Sequence, residues 1–140
     1  ESQAARRRFL AVHPSAAKYA DFGDFRFFTL KLEHAHYVGG FGRICSLKPE
    51  DVLIDVSAAA ELIAAEPEII AALNHNLAED VARLGVRLSG KEGPWRVSDL
   101  DPGGMDLALG LERIRWDFEG EVRDLASAKE ALRTALATLR

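Results

Sequence analysis

Three short runs of alternating apolar residues, separated by glycine turns and flanked by helical patterns, constrain this chain more than any other feature. Trp95 and Val97 alternate in the first run, Met105, Leu107 and Leu109 in the second, and Ile114, Trp116 and Phe118 in the third, opposite Arg113, Arg115 and Asp117. A period of two places the apolar residues of a strand on one face. Asp101-Pro102-Gly103-Gly104 supplies a turn, Gly110 breaks the second run, and Gly120 ends the third. Upstream, Ile69, Leu73, Leu77, Val81 and Leu84 step by four, four, four and three, the apolar stripe of one long helix. Pro67 fits the first turn of that helix and Gly85 its C-terminal cap. Ser89 to Pro94 reads as a loop. Leu125, Ala128, Leu132, Leu136 and Leu139 share one face of a last helix, from about Asp124 to Leu139. The C-terminal half is therefore expected to be α-β-β-β-α.

The N-terminal half has another rhythm. Residues 2–12 read as a helix, stopped by His13-Pro14 because the residue before proline is pushed out of the α region. Ala16 to Asp21 adds a short helical turn. Phe28, Leu30 and Leu32 alternate with Thr29, Lys31 and Glu33, which predicts a strand. Glu33-His34-Ala35 is the expected turn, and His36 to Cys45 the second strand of an antiparallel hairpin. Gly39, Gly40 and Gly42 in that strand suggest a bulge, a sharp bend, or close approach of another backbone or a ligand, as in a small barrel. Lys48-Pro49-Glu50-Asp51 is a helix start, and Ser57 is the expected cap of the Ala-rich helix that follows. The change of period near Ser57 places a domain boundary there.

The 22 acidic residues exceed the 18 basic ones, a formal net charge of −4, and no basic stripe is present. That balance argues against a nucleic-acid module. Its 48% hydrophobic content suits a folded chain. A single cysteine, Cys45, excludes an internal disulfide framework and a cysteine-rich zinc site. No apolar run reaches the roughly 18 residues of a membrane helix, and a cytoplasmic protein is expected.

Several residues are candidates for chemistry. His34 and His36 form a His-x-His pair that on a strand would face one way and could share a metal. No third ligand lies nearby, a polar hairpin end is the alternative, and no metal site is expected. Gly40-Phe41-Gly42 resembles the start of a phosphate loop, but position 45 is Cys45 where a third glycine belongs. Cys45 is expected to be buried and inert. Tyr37, Phe41 and Arg43 would share a strand face, where a guanidinium and aromatic rings can hold a phosphate and a flat ring, or make a dimer contact. Arg6, Arg7 and Arg8 read as a solvated helix face, or as a site for a phosphate or an acidic partner. Asp99, Asp101 and Asp106 could bind a cation or simply form the turn they surround.

The segment His13-Pro14-Ser15-Ala16-Ala17-Lys18-Tyr19-Ala20-Asp21-Phe22-Gly23-Asp24-Phe25, followed by Val38-Gly39-Gly40-Phe41-Gly42-Arg43, resembles the pyridoxamine 5'-phosphate oxidase-like split-barrel proteins of the heme-utilization group. That group joins its barrel to a small α+β domain, which the second half resembles in Asn76 and in Asp101-Pro102-Gly103-Gly104-Met105-Asp106-Leu107. The resemblance covers nearly the whole chain. It implies an α+β protein with a partial split β-barrel in residues 1–56 and the small domain in residues 57–140, other barrel strands lying upstream of Glu1. It also implies a homodimer holding flavin mononucleotide (FMN) or heme at the subunit boundary, with Tyr37, Gly40, Phe41, Arg43 and His36 as this chain's cofactor-binding residues. Relatives often carry His-Met-Asn-x-Asp-His on the long helix. Here the stretch is Asn74-His75-Asn76-Leu77-Ala78-Glu79, and only Asn76 matches, so no role of those histidines carries over. Three functions follow: an FMN-dependent oxidoreductase, a heme-binding or heme-degrading protein using His34 or His36, and a non-catalytic, partner-binding protein of tetrapyrrole metabolism. No catalytic residue is assigned.

Overall fold

The computed structural model describes residues 3–138. Along the chain come α1 (Gln3–Val12), a 3-10 turn (Pro14–Lys18), β1 (Ala35–Val38), β2 (Ile44–Leu47), α2 (Pro49–Val52), α3 (Ala60–Asn76), α4 (Ala78–Ser89), β3 (Arg96–Asp101), β4 (Gly104–Leu109), β5 (Glu112–Asp117) and α5 (Leu125–Thr138). The fold is α+β with two separate antiparallel sheets, β1-β2 and β3-β4-β5, and no closed barrel among the described residues. Leu139 lies outside those residues.

The three alternating runs form the three-stranded meander their period predicts. Leu107 faces Val97 on one side and Ile114 on the other, and Met105 faces Leu100 and Trp116. A bulge between Val97 and Asp99 switches the parity of β3, so Val97 and Leu100 both reach the core. The side chain of Asn74 on α3 closes that edge: Val97 N–H donates to its Oδ1 (2.8 Å) and its Nδ2 donates to the Val97 carbonyl (2.9 Å). Leu62 and Leu73 of α3, Leu84 of α4 and Leu132 of α5 complete the core over the sheet. A reciprocal cap starts α5, with Ser127 N–H on Asp124 Oδ1 (2.8 Å) and Asp124 N–H on Ser127 Oγ (3.0 Å).

The helices differ from the expected ones. α3 begins two turns before Pro67, which stands inside it; lacking an N–H, Pro67 leaves the Ile63 carbonyl without its helical donor. Ala59, not Ser57, precedes the first turn and offers no side-chain cap. The long apolar stripe is real but spans two helices, broken at Leu77 (φ −130°, ψ 29°). Hydrogen bonds from Leu77 N–H to Leu73 O (3.0 Å) and from Val81 N–H to Leu77 O (2.9 Å) bridge the break, so the period survives it. Gly85 lies buried inside α4, and the cap is Gly90.

The hairpin is displaced along the chain. Residues 28–34 form no strand, and Phe28 and Leu30 stand exposed because no neighbouring strand pairs with them. The stretch read as a single strand, His36 to Cys45, instead folds back on itself: it holds most of β1 and the start of β2, in register from Ala35↔Leu47 to Val38↔Ile44. The glycines make its turn: Arg43 N–H donates to Gly40 O (2.9 Å), and Gly40 and Gly42 take φ of 95° and 71°, values that disfavour side-chain-bearing residues.

Candidate functional site

In an antiparallel pair, residues two apart and their cross-strand partners share a face. His36, Val38, Ile44 and Ser46 therefore form one face of the hairpin, and Ala35, Tyr37, Cys45 and Leu47 the other. His36 and Tyr37 oppose each other. The Tyr37 ring folds back on its own strand, so close that a Cβ at Gly39 would lie 2.8 Å from its Cε1. Phe41 projects from the turn, wholly exposed, and Arg43 closes that turn. The expected common face of Tyr37, Phe41 and Arg43 does not form, because positions 41 and 43 are turn rather than strand. His34 precedes β1, so the strand geometry of the His-x-His pair fails as well. Among the described residues no three metal-capable side chains cluster. Cys45 is exposed, not buried.

The arginines of α1 are partly exposed, yet each is tied to an acid elsewhere in the chain. Arg6 pairs with Asp21 (2.6 Å). Arg7 Nη2 reaches Glu66 Oε2 at 2.7 Å, and Arg8 takes both oxygens of Glu66, at 2.8 Å from Nη2 and 3.2 Å from Nε. Glu66 is 1% exposed, although it stands in the middle of α3. Composition does not single it out, but its position does: Leu62, Glu66, Ile69 and Leu73 are the four buried residues of α3, one helical stripe. A cleft of about 200 Å³ opens here, lined in part by Arg7, Arg8, Glu66, Asn74, Arg96 and Ser98.

Asp99 of β3 borders this cluster, 3.8 Å from Arg8 Nε. Burial, then its hydrogen bond with Glu66, pushes its carboxyl up to about 6 from 3.8. A carboxyl raised on folding stabilises the protein fully below its unfolded value and loses that contribution as pH rises through the folded one. Wild type is thus expected to lose roughly 1–2 kcal/mol through this group between about pH 4 and pH 6, allowing for its partial exposure. Asp99→Asn keeps the shape of the protonated carboxyl. Urea titrations across that range should show the variant gaining on wild type as pH rises; a constant difference would refute the assignment.

The acids around the β3–β4 turn enclose a guanidinium. Arg115 grips Asp101 through two bonds (2.7 and 2.8 Å), reaches Asp117 at 3.0 Å and stands 3.6 Å from Asp106. Burial raises the Asp101 carboxyl, but Arg115 and the Gly103 and Gly104 N–H groups outweigh it and hold the group below its usual value. Arg115 is therefore the cation of this turn.

The fold has a counterpart in a protein of unknown function from Agrobacterium tumefaciens, with a TM-score of 0.67 and 29% identity over 93% of this chain and 53% of that one. A heme-binding protein from Mycobacterium smegmatis aligns over 90% of this chain and 54% of its own at 21% identity, with a TM-score of 0.47, too low to carry fold or function across. The chain spans about half the length of both. No family model and no curated protein matches the sequence.

Proposed function

We propose that this chain is part of a heme-binding split-barrel protein, and that it contributes the His36 face of the β1–β2 hairpin to the cofactor site. The observation that carries this reading is the face itself: an exposed imidazole beside Val38 and Ile44, both bare, with Arg43 at the turn. Heme takes an imidazole on its iron, apolar contact on its porphyrin and a cation for its propionates. Those residue types are present. FMN makes no use of an exposed imidazole as an iron ligand, so His36 favours heme over it. An isolated two-stranded hairpin is marginal in water, so the reading includes further strands and a second copy of the chain closing the site. Hemin added to the protein is expected to give a saturable, shifted Soret band. His36→Ala should remove that shift, and Arg43→Ala should weaken binding about tenfold. An unchanged spectrum in His36→Ala would refute ligation by this residue. Retention of neither hemin nor FMN would turn the hairpin into a partner-binding surface.

A further inference from the structure

The opposite part of the sequence holds a second concavity that uses no hairpin residue. Between α4, β5 and α5 lies a cavity of about 400 Å³. Its apolar lining is Leu88, Trp116, Val122, Ala131 and Ala135, all buried or half-buried. Ala131 and Ala135 stand one turn apart on α5, where longer side chains would fill the space. A cavity of this size with mostly apolar walls and a few polar groups is the usual form of a small-molecule site.

The charged groups of the lining have one sign. Glu119, Glu121 and Glu130 are exposed at its edge, and no lysine or arginine lines it. Glu121 pairs outward with Arg123, and Glu130 lies 3.7 Å from Arg133. Glu119 has no ion pair among the described residues. An anionic ligand would meet Glu119 and two ion-paired carboxylates, with no cation in the wall itself; a cationic one would meet complementary charge at Glu119 and, in Trp116, an indole.

We infer that this cavity binds a small amphipathic cation, an alkyl or aryl amine whose apolar body fills the floor while its ammonium meets the glutamates. The test uses 1-naphthylmethylamine and 1-naphthoate, probes of similar size and opposite charge, titrated into the protein by calorimetry. The amine is expected to bind saturably at submillimolar concentration, and the carboxylate at least about tenfold more weakly. Glu119→Gln/Glu130→Gln, at two exposed positions, should weaken the amine about fivefold without disturbing the fold. Ala131→Leu, which fills the floor, should abolish amine binding; if that variant fails to fold, the glutamine pair decides. Equal affinity for the two probes, amine binding indifferent to the glutamine pair, or no saturable amine binding at millimolar concentration overturns the proposal.

Discussion

Replacing Gly85 by alanine is expected to destabilise the protein by about 3 kcal/mol, although it puts a better helix former inside α4. Propensity alone favours alanine by roughly 1 kcal/mol. Sterics decide the outcome. A Cβ at this position would lie 2.2 Å from Trp95 Cγ, 2.5 Å from its Cβ and 2.6 Å from its Cδ2. Those atoms adjoin the Trp95 backbone and cannot yield as the end of a long side chain could. The indole is 3% exposed, and its Nε1 donates to the Lys91 carbonyl at 2.9 Å. Moving the ring breaks that bond and strips a large apolar group from the core. Overpacking costs about 1–3 kcal/mol and losing a buried tryptophan about 3–5 kcal/mol. Ala82→Gly, on the same helix, is the control, with a loss of about 1 kcal/mol from propensity alone. Urea midpoints of both variants check the argument, and a Gly85→Ala protein as stable as wild type would sink it. Trp95→Leu should cost less in the Gly85→Ala background than in wild type, because the two side chains compete for one space.

What could be read beforehand follows from what a one-dimensional pattern encodes. The β3-β4-β5 meander was legible because its apolar residues alternate within each strand and Pro102, Gly103 and Gly110 mark the reversals. The bulge in β3 was not, since it sits where Asn74, more than twenty positions away, pairs with the Val97 backbone. The helix break at Leu77 was hidden because the apolar stripe runs through it. Gly85 looked like a cap because glycine near a helix end usually is one; only the packing of Trp95 shows that it makes room. For the hairpin, alternation at Phe28, Leu30 and Leu32 predicted a strand that has no partner in the described residues, while the glycines that looked like bends in a strand form the turn itself. The same error put Tyr37, Phe41 and Arg43 on one face. Of the site residues, His36 and Tyr37 keep the strand placement they were given, on opposite faces, His36 on the one that holds Val38 and Ile44.

Removing both arginines from the Glu66 cluster should cost about 3 kcal/mol, the toll of a buried charge left without its partners. α1 buries none of its side chains fully, and polar contacts join the packing of Phe9 on Phe27 in holding it in place. Two are the arginines on Glu66; others are the Arg96 bond to the Ala11 carbonyl (3.1 Å) and the Arg113 bond to the Val12 carbonyl. In Arg7→Ala/Arg8→Ala, the Glu66 carboxyl is left in the interior without its guanidinium partners and with Asp99, a second acid, beside it. Protonating it there and lifting α1 to admit water both cost stability. The buried pair itself need not be a net stabiliser, because desolvation of the carboxylate offsets much of its attraction to the guanidinium groups. Neutralising the acid therefore separates the two effects. Glu66→Gln placed in the double-alanine background should recover about 2 kcal/mol, since an amide can stay buried with fewer partners. Glu66→Gln alone should cost less than the double alanine change. Equilibrium unfolding of the four proteins at neutral pH, with protease cleavage within residues 3–12 as a measure of α1 docking, tests this order. A double-alanine variant within about 0.5 kcal/mol of wild type, or no rescue by glutamine, would refute the role given to the Glu66 cluster in docking α1.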